Sequence, residues 1–487
     1  MRSRISRHLG LVLGSAPQDD AALDESLTIT APGEAPLLPS ELSGRDYAIF
    51  LLRLAAEVEH ALMVQYLFTA YSLGAPGLAA GQQAEVRAWQ ETILGIAKEE
   101  MAHLITVENL LTLLSAPLNF NREEFPHDTV LYPFEFKLER ASLRALAAFV
   151  CAESPARWPN VPEEQEIKEL ARQDAGAPVN RVGRLYAELA RVVGDRRLLA
   201  DGDFVADTVA FQATWDEWGR GYREGERGAE PMSGFPELLA PELLILHARS
   251  RAEALVAITE VGEQGEGADL PADGDQSHFL RFLAIYRGMK RLGDGVGVRP
   301  LAPNPTTDLD GPDVPRPQGP APEFPATAIT HGEARLWAHL FNVRYRKLLV
   351  NLSHAFELAD DPGEAGRLTP RGALIHRTFS EMYNLRAIAG RLVALPVDAA
   401  DPGGPRAGPP FQIPHTLMLP SDEVGRWRLH RDVLDAAAAI VVQLRAAGSP
   451  DGADYLAALA QMDAIERGQL ELLIAGRVAA RRGAPTP

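Results

Sequence analysis

A single cysteine, Cys151, in 487 residues excludes an intramolecular disulfide and any cysteine-built metal cluster. It sits in the apolar run Ala148-Phe149-Val150-Cys151-Ala152, the setting of a buried small hydrophobe rather than a reactive thiol. No apolar stretch approaches the ~20 residues that cross a bilayer, so no membrane partner is expected. Basic charge is also short. Lys and Arg total 48 against 66 Asp and Glu, a net charge of −18 that opposes a nucleic-acid partner. β-branched runs are scarce while Ala, Leu, Arg and Glu abound, which favours helices over strands. Residues 1–16 carry arginines and then Leu-Gly-Leu-Val-Leu-Gly, too short an apolar core for a secretory signal. Residues 1–42 are therefore expected to form a disordered or irregular leader, and the chain to be cytoplasmic.

Helical periodicity fills most of what remains. Patterns run over 44–72, 83–115, 141–153, 180–193, 243–263 and 277–292, with breaks at Pro and Gly between them. These give a helical bundle with insertions over residues 43–297. Residues 298–327 are dense in Pro, Asp and Gly and are expected to be a linker without regular structure. Four further patterns, 334–358, 372–392, 423–447 and 452–478, make residues 328–487 a C-terminal helical region expected to pack on the bundle. An aromatic group, Trp215, Trp218 and Tyr222 with Arg220, reads as a loop or short helices packed on the bundle.

Polar residues interrupt the apolar stripes where chemistry is expected. In the first helix Leu52, Ala55, Ala56, Leu62, Met63, Tyr66 and Ala70 share a face, and Glu59 sits in its middle. In the second, Ile93, Ile96, Ala97, Leu104, Val107, Leu110 and Leu111 form the stripe, interrupted by Glu100 and His103 at i, i+3. A buried carboxylate costs several kcal/mol unless it is paired or binds a metal. Facing helices that each bury a glutamate, one with an adjacent histidine, fit a metal site in a bundle. A buried hydrogen-bonded Glu–His pair is the simpler alternative. Glu57, His60, Glu99 and Glu108 fall off the inner stripes. His331, His339, His354 and His376 lack a Glu-x-x-His partner and read as structural or substrate-facing.

The later helices extend the set. Glu153 continues the line of Leu143, Leu146, Ala147 and Val150. Glu266 continues that of Leu255, Ile258 and Gly262, with Glu263 as its substitute, and His278 shares a face with Phe282 and Ile285. Together with Glu59, Glu100 and His103 these supply four carboxylates and two histidines, the ligand complement of a di-iron or di-manganese carboxylate bundle. A Gly/Asp-rich insertion between Glu266 and His278 stands where that motif asks for i, i+3 spacing.

Residues 55–72, with glutamate and tyrosine seven apart at Glu59 and Tyr66, resemble the first helix of ferritin-like proteins, and residues 96–104 the second. More narrowly, the chain resembles the ferritin-like domain of the iminophenyl-pyruvate dimer synthases, the VioB/RebD-type enzymes of bisindole pigment biosynthesis. Segments 149–155, 262–267, 277–282, 341–345 and 407–411 carry the rest of the likeness. The resemblance implies a mainly α fold, a ferritin-like four-helix bundle with long insertions and an additional C-terminal helical region. It implies one or two bound iron ions, manganese or another first-row metal being the alternative, with dioxygen or peroxide as co-reactant. It also implies oxidative chemistry of secondary metabolism on a small amino-acid-derived substrate, imine coupling among the options. A homo-oligomer or a pathway-enzyme partner fits the same picture. The resemblance also puts a glutamate where this chain has Arg184, which points to the other reading: a non-catalytic scaffold or binding protein with a degenerate site. Iron storage ranks last, because the insertions and extra helices do not suit a ferritin cage.

Overall fold

The computed structural model describes residues 42–125, 135–175, 179–219, 231–266, 276–308, 326–359, 369–413, 417–448 and 452–483. Nearly all of the expected leader, most of the linker, Arg220, Tyr222 and the Gly/Asp-rich insertion lie outside them. The chain divides into two units, residues 1–299 and 300–487. The described residues are mostly helical, and no helix among them is long and apolar enough to cross a membrane.

The first unit is organised by a long hairpin of α1 (Gly44–Ser72) and α2 (Ala80–Leu113). A Ser43–Asp46 capping box starts α1, satisfying backbone donors that the first turn leaves open. At Gly44 the chain passes so close to Leu198 that a Cβ would lie 2.1 Å from its carbonyl oxygen, so only glycine fits. Helix α1 is buried almost all round, as suits the middle of a bundle. Around the hairpin lie α3 (Leu143–Ala152), α4 (Glu164–Ala175), α5 (Gly183–Gly194), α6 (Trp215–Trp218), α7 (Arg251–Glu266) and α8 (His278–Leu292). Helix α5 packs on α1 and α7, while α8 packs on α2, α3 and α7. The antiparallel pair β1 (Pro231–Met232) and β2 (Phe235–Leu239) lies against α2.

Two local expectations fail for physical reasons. The helix expected from 243 begins only at Arg251, because side chains of α2 hold the preceding backbone extended. Leu246 N donates to Thr106 Oγ1 at 3.1 Å, and Asn109 Nδ2 donates to the carbonyls of Leu246 at 2.9 Å and Ala213 at 2.8 Å. These bonds compete with the helical ladder, and Pro241 removes a donor just upstream. Helix α4 carries too few apolar positions to stand out, Ile167 and Ala171 being its fully buried ones. Tyr286 Oη nonetheless donates to its Glu166 at 2.8 Å.

The second unit contains α9 (Gly332–Phe356), α10 (Pro370–Leu392), α11 (Glu423–Ala446) and α12 (Ala453–Gly483). Helix α9 packs on α10 and α11, and α11 on α12. Within the expected linker, β3 (Pro305–Thr306) pairs in parallel with β4 (Thr327–Ala328), which begins at its last residue, so three linker residues do join a ladder. Inside this bundle Lys347 Nζ reaches Glu381 at 2.6 Å and Glu466 at 2.7 Å, and Arg344 bridges Glu381 and Asp463. Each buried charge thus has an opposite partner, the condition for tolerating it.

Candidate metal centre

Five side chains from four helices meet in the core of the first unit. Glu59 comes from the middle of α1 and Glu100 with His103 from α2. Glu153 caps the C-terminus of α3, and His278 opens α8. Their ligating atoms form two groups, Glu59–Glu100–His103 and Glu100–Glu153–His278, each within 4.8 Å, with Glu100 common to both. All five residues are at most 2% exposed. His103 Nδ1 lies 2.9 Å from Glu100 Oε2 and 3.5 Å from Glu59 Oε2. His278 Nδ1 lies 2.9 Å from Glu100 Oε1 and 3.6 Å from Glu153 Oε2.

The two imidazoles are held alike from outside. His103 Nε2 is 2.7 Å from Gln264 Oε1, and His278 Nε2 is 2.9 Å from Glu99 Oε2. An acceptor at Nε2 places the proton there and leaves the Nδ1 lone pair facing the cluster, the usual outer support of a metal-binding histidine. Glu99 is in turn paired with Arg281. Tyr186 on α5 donates to Glu59, and Tyr66 donates to Glu153, fixing both carboxylates. Gly265 leaves room for Glu153, since a Cβ there would lie 3.0 Å from its Oε2.

Metal fit can be judged on the donor atoms themselves. Glu59 Oε2, Glu100 Oε1 and His278 Nδ1 are fully buried and face one another and His103 as close ion pairs, without a well-aligned hydrogen bond among the described residues. Buried polar atoms short of a hydrogen bond are rare and costly, and here all three belong to one cluster of carboxylate and imidazole donors. That donor set suits a first-row metal such as iron or manganese.

Without an ion, protons settle part of the charge. Burial and the charge of Glu100 push Glu59 up to about 8. Burial opposes the charged form of His103, but Glu100 and Glu59 outweigh it and push the imidazole up to about 10. Burial likewise disfavours the Glu100 carboxylate, yet His278 and His103 hold it well below the usual carboxylate range.

Of the seven residues expected to ligate, Glu59, Glu100, His103, Glu153 and His278 are gathered here, and Glu263 and Glu266 are not. Glu263 is exposed. Glu266 accepts from Arg181 Nη1 at 3.1 Å and from the backbone N–H of Gly183 at 3.0 Å. The inner line of α7 is Ala254, Ala257, Ile258, Val261 and Gln264, not the line through Leu255 and Gly262, so Gln264 is the residue that reaches the cluster. Arg184 bonds Asn180 Oδ1 at 3.3 Å, and Tyr186 is the α5 residue at the site. Glu188 of the same helix is buried, where it accepts from Tyr47 Oη at 3.1 Å and pairs with Arg191. Glu99, expected off the inner stripe, is buried behind His278. Gln264 was open to the rule that found Glu100, a polar residue at helical spacing on an apolar line. Cys151 is buried, and burial pushes its thiol up to about 12, as an inert side chain requires.

Comparison with known proteins places this geometry. Residues 52–287 match the model of the Ferritin-like family. Dichlorochromopyrrolate synthase from Lentzea aerocolonigenes is 26% identical over 425 residues, covering 79% of this chain and 38% of that protein. The 2-imino-3-(indol-3-yl)propanoate dimerase of Chromobacterium violaceum is 27% identical over 415 residues, covering 78% of this chain and 35% of that protein. The chain thus spans little more than a third of the length of these relatives. A ferritin-like protein from Caulobacter vibrioides aligns at 16% identity and a TM-score of 0.37 over 73% of this chain and 98% of its own, too loose a likeness to argue from. Over residues 52–287, which hold all five clustered side chains, the chain carries a ferritin-like domain.

Proposed function

We propose that the chain is a non-haem metal-dependent oxidative enzyme of secondary metabolism, iron being the first candidate, acting on a small amino-acid-derived substrate. The observation that carries this reading is the pair of buried triads sharing Glu100. Glu59, Glu100 and His103 would hold one ion, and Glu100, Glu153 and His278 a second. A bound first-row metal supplies one-electron chemistry and activation of dioxygen or peroxide. The protein's own work is positional. Gln264 and Glu99 orient the imidazoles, Tyr186 and Tyr66 fix Glu59 and Glu153, and Phe149 and Phe282 pack on Tyr66 at ring distances of 4.8 Å and keep water from that side. The two relatives are named for a chromopyrrolate synthase and an indolyl-imine dimerase, which supports imine coupling as the reaction class. Fold alone does not set the reaction, and this chain lacks most of the length of those proteins.

A scaffold with a reduced site is the second reading. Gln264, a neutral amide at the cluster where a fourth carboxylate was expected, favours it. Elemental analysis of purified protein, beside Glu100→Ala and His103→Ala, separates the two. One or two irons or manganese ions per chain, lost in Glu100→Ala and lost or reduced in His103→Ala, supports the enzyme. No metal after anaerobic loading with iron, manganese and zinc overturns it and leaves the scaffold.

A further inference from the structure

Helix α12 carries an outer face that its own bundle does not use. Leu456, Leu459, Leu470 and Ile474 are buried and form its inner stripe. On the opposite side Met462, Ile465 and Leu472 are 51%, 59% and 76% exposed. Ile465 and Leu472 are seven residues apart and so share one line of the helix, with Met462 a turn before Ile465. From 457 to 476 the exposed charged residues are Arg467 and Glu471. Both turn to α11, where Arg467 pairs with Asp435 and Glu471 lies 3.9 Å from Arg431. Every other exposed position in that stretch is uncharged, over about 28 Å at 1.5 Å per residue. Helix α8 shows the contrast: its exposed positions are Ala284, Arg287, Lys290 and Arg291.

Two glycines sharpen the pattern. Gly468 and Gly476 are exposed inside α12, and a Cβ on either would meet nothing within 4 Å. Glycine inside a helix is destabilising relative to alanine, and here neither residue relieves a clash within the chain. Small residues set between protruding aliphatic ones let a second helix approach closely and interdigitate.

We infer that this face of α12 docks on the same face of a second copy of the chain, the two helices antiparallel about a two-fold axis between Gly468 and Gln469. The pattern is self-complementary about that point. Ile465 and Leu472 stand at equal distances on either side, so Ile465 of one copy meets Leu472 of the other, twice over. Met462 comes over the small Ala475–Gly476 end of the second helix. A two-fold contact between identical patches requires this correspondence. Charge selects the same occupant. A chain of net charge −18 repels its own copy, and a face whose exposed charges are already paired is where two copies meet at least cost. Laid along its copy, the 31-residue helix offers a strip about 45 Å long and 10–12 Å wide, roughly 500 Å² per copy. The pair then buries roughly 1,000 Å², the lower end of specific interfaces, which sets a reversible dimer instead of a permanent one. The inference is independent of the metal centre.

The test is sedimentation-velocity ultracentrifugation of the purified full chain from about 1 to 200 μM, where a monomer–dimer equilibrium with a micromolar midpoint is expected. Ile465→Lys and Leu472→Glu should each weaken the dimer at least about tenfold, with far-UV circular dichroism unchanged because both positions are exposed. The double variant should recover part of that loss, because its new lysine and glutamate face each other across the axis. Gly468→Cys should form a disulfide-linked dimer under mild oxidation, against a clean background because the native Cys151 is buried. Gln443→Cys, exposed on α11 outside this face, should not. A monomer at every concentration overturns the inference and leaves the face to another occupant. A dimer that both single variants leave intact overturns it too. So does one that the double variant fails to restore and Gly468→Cys fails to cross-link.

Discussion

Each unit of the chain buries a pair of stacked histidines, and the two pairs are nearly the same in shape. The rings of His103 and His278 lie 5.5 Å apart at 28°, and those of His354 on α9 and His430 on α11 lie 5.2 Å apart at 28°. Their company differs. The first pair faces Glu59, Glu100 and Glu153, and both rings are raised toward the charged form despite burial. Among the described residues the second pair is hydrogen-bonded to itself, Nδ1 of His354 to Nε2 of His430 at 2.9 Å, beside the ring of Trp427 at 4.4 Å from that of His354. Burial, with Arg426 adding to it, pushes His354 down to about 3, and burial, His354, Arg377 and Lys347 hold His430 well below its ordinary value. Depth in a bundle therefore does not make a histidine a metal ligand. Converging carboxylates are the further requirement, because they gather negative charge that a cation would neutralise.

The largest effect that sharpens this contrast is metal content. Glu100→Ala should remove essentially all bound metal, while His430→Leu should leave it unchanged; metal lost from the second variant, by elemental analysis, would break the distinction. Next, Gln264→Leu removes the acceptor that orients His103 and should weaken metal binding roughly 10–100-fold, the usual cost of such outer support, read by competition with a chelator.

Stability against pH separates the pairs by sign. His354 and His430 have folded values below the unfolded ~6.5, so the unfolded chain binds more protons and stability falls as pH drops below that point. The loss approaches about 1.4 kcal/mol per pH unit for each histidine. The raised His103 contributes the other way in the metal-free chain: its stabilisation is full below about 6.5 and is lost as pH rises through about 10. The change in urea midpoint from pH 7.5 to 5.0 should therefore be more favourable in His430→Leu than in wild type, whatever the sign that the raised groups of the first unit give to the total. Equal changes in both proteins would show that the second pair is not held neutral.

The smallest effects concern the two glutamates outside the cluster. Glu266→Ala should cost about 1 kcal/mol through its lost bonds to Arg181 and Gly183 and leave metal content intact. Glu263→Ala should change stability by no more than about 0.5 kcal/mol, since the residue is exposed. Loss of metal in either variant would return that glutamate to the site.

How much of this was legible in the chain follows from what each residue answers to. Glu59, Glu100 and His103 interrupt long, regular stripes, and a stripe with a polar break is a local signal. The bounds of α1 follow from Ser43 and the break at Gly74, also local. The start of α7 does not, because Thr106 and Asn109, far away in sequence, decide it. Leu255, Ile258 and Gly262 make as regular an apolar line as Ala254, Ala257, Ile258 and Val261, so periodicity alone does not choose Gln264 over Glu263 and Glu266. Tyr186 could not be found from spacing at all, since its role depends on how α5 lies against α1.

Glu100 has a consequence for how such a centre can change over generations. Glu59, His103, Glu153 and His278 each belong to one triad, so a substitution at any of them spares the other triad, and a lineage can lose the triads one at a time through those positions. Glu100 belongs to both. No single substitution there leaves half a site, so the drift of this cluster has four gradual exits and one abrupt one.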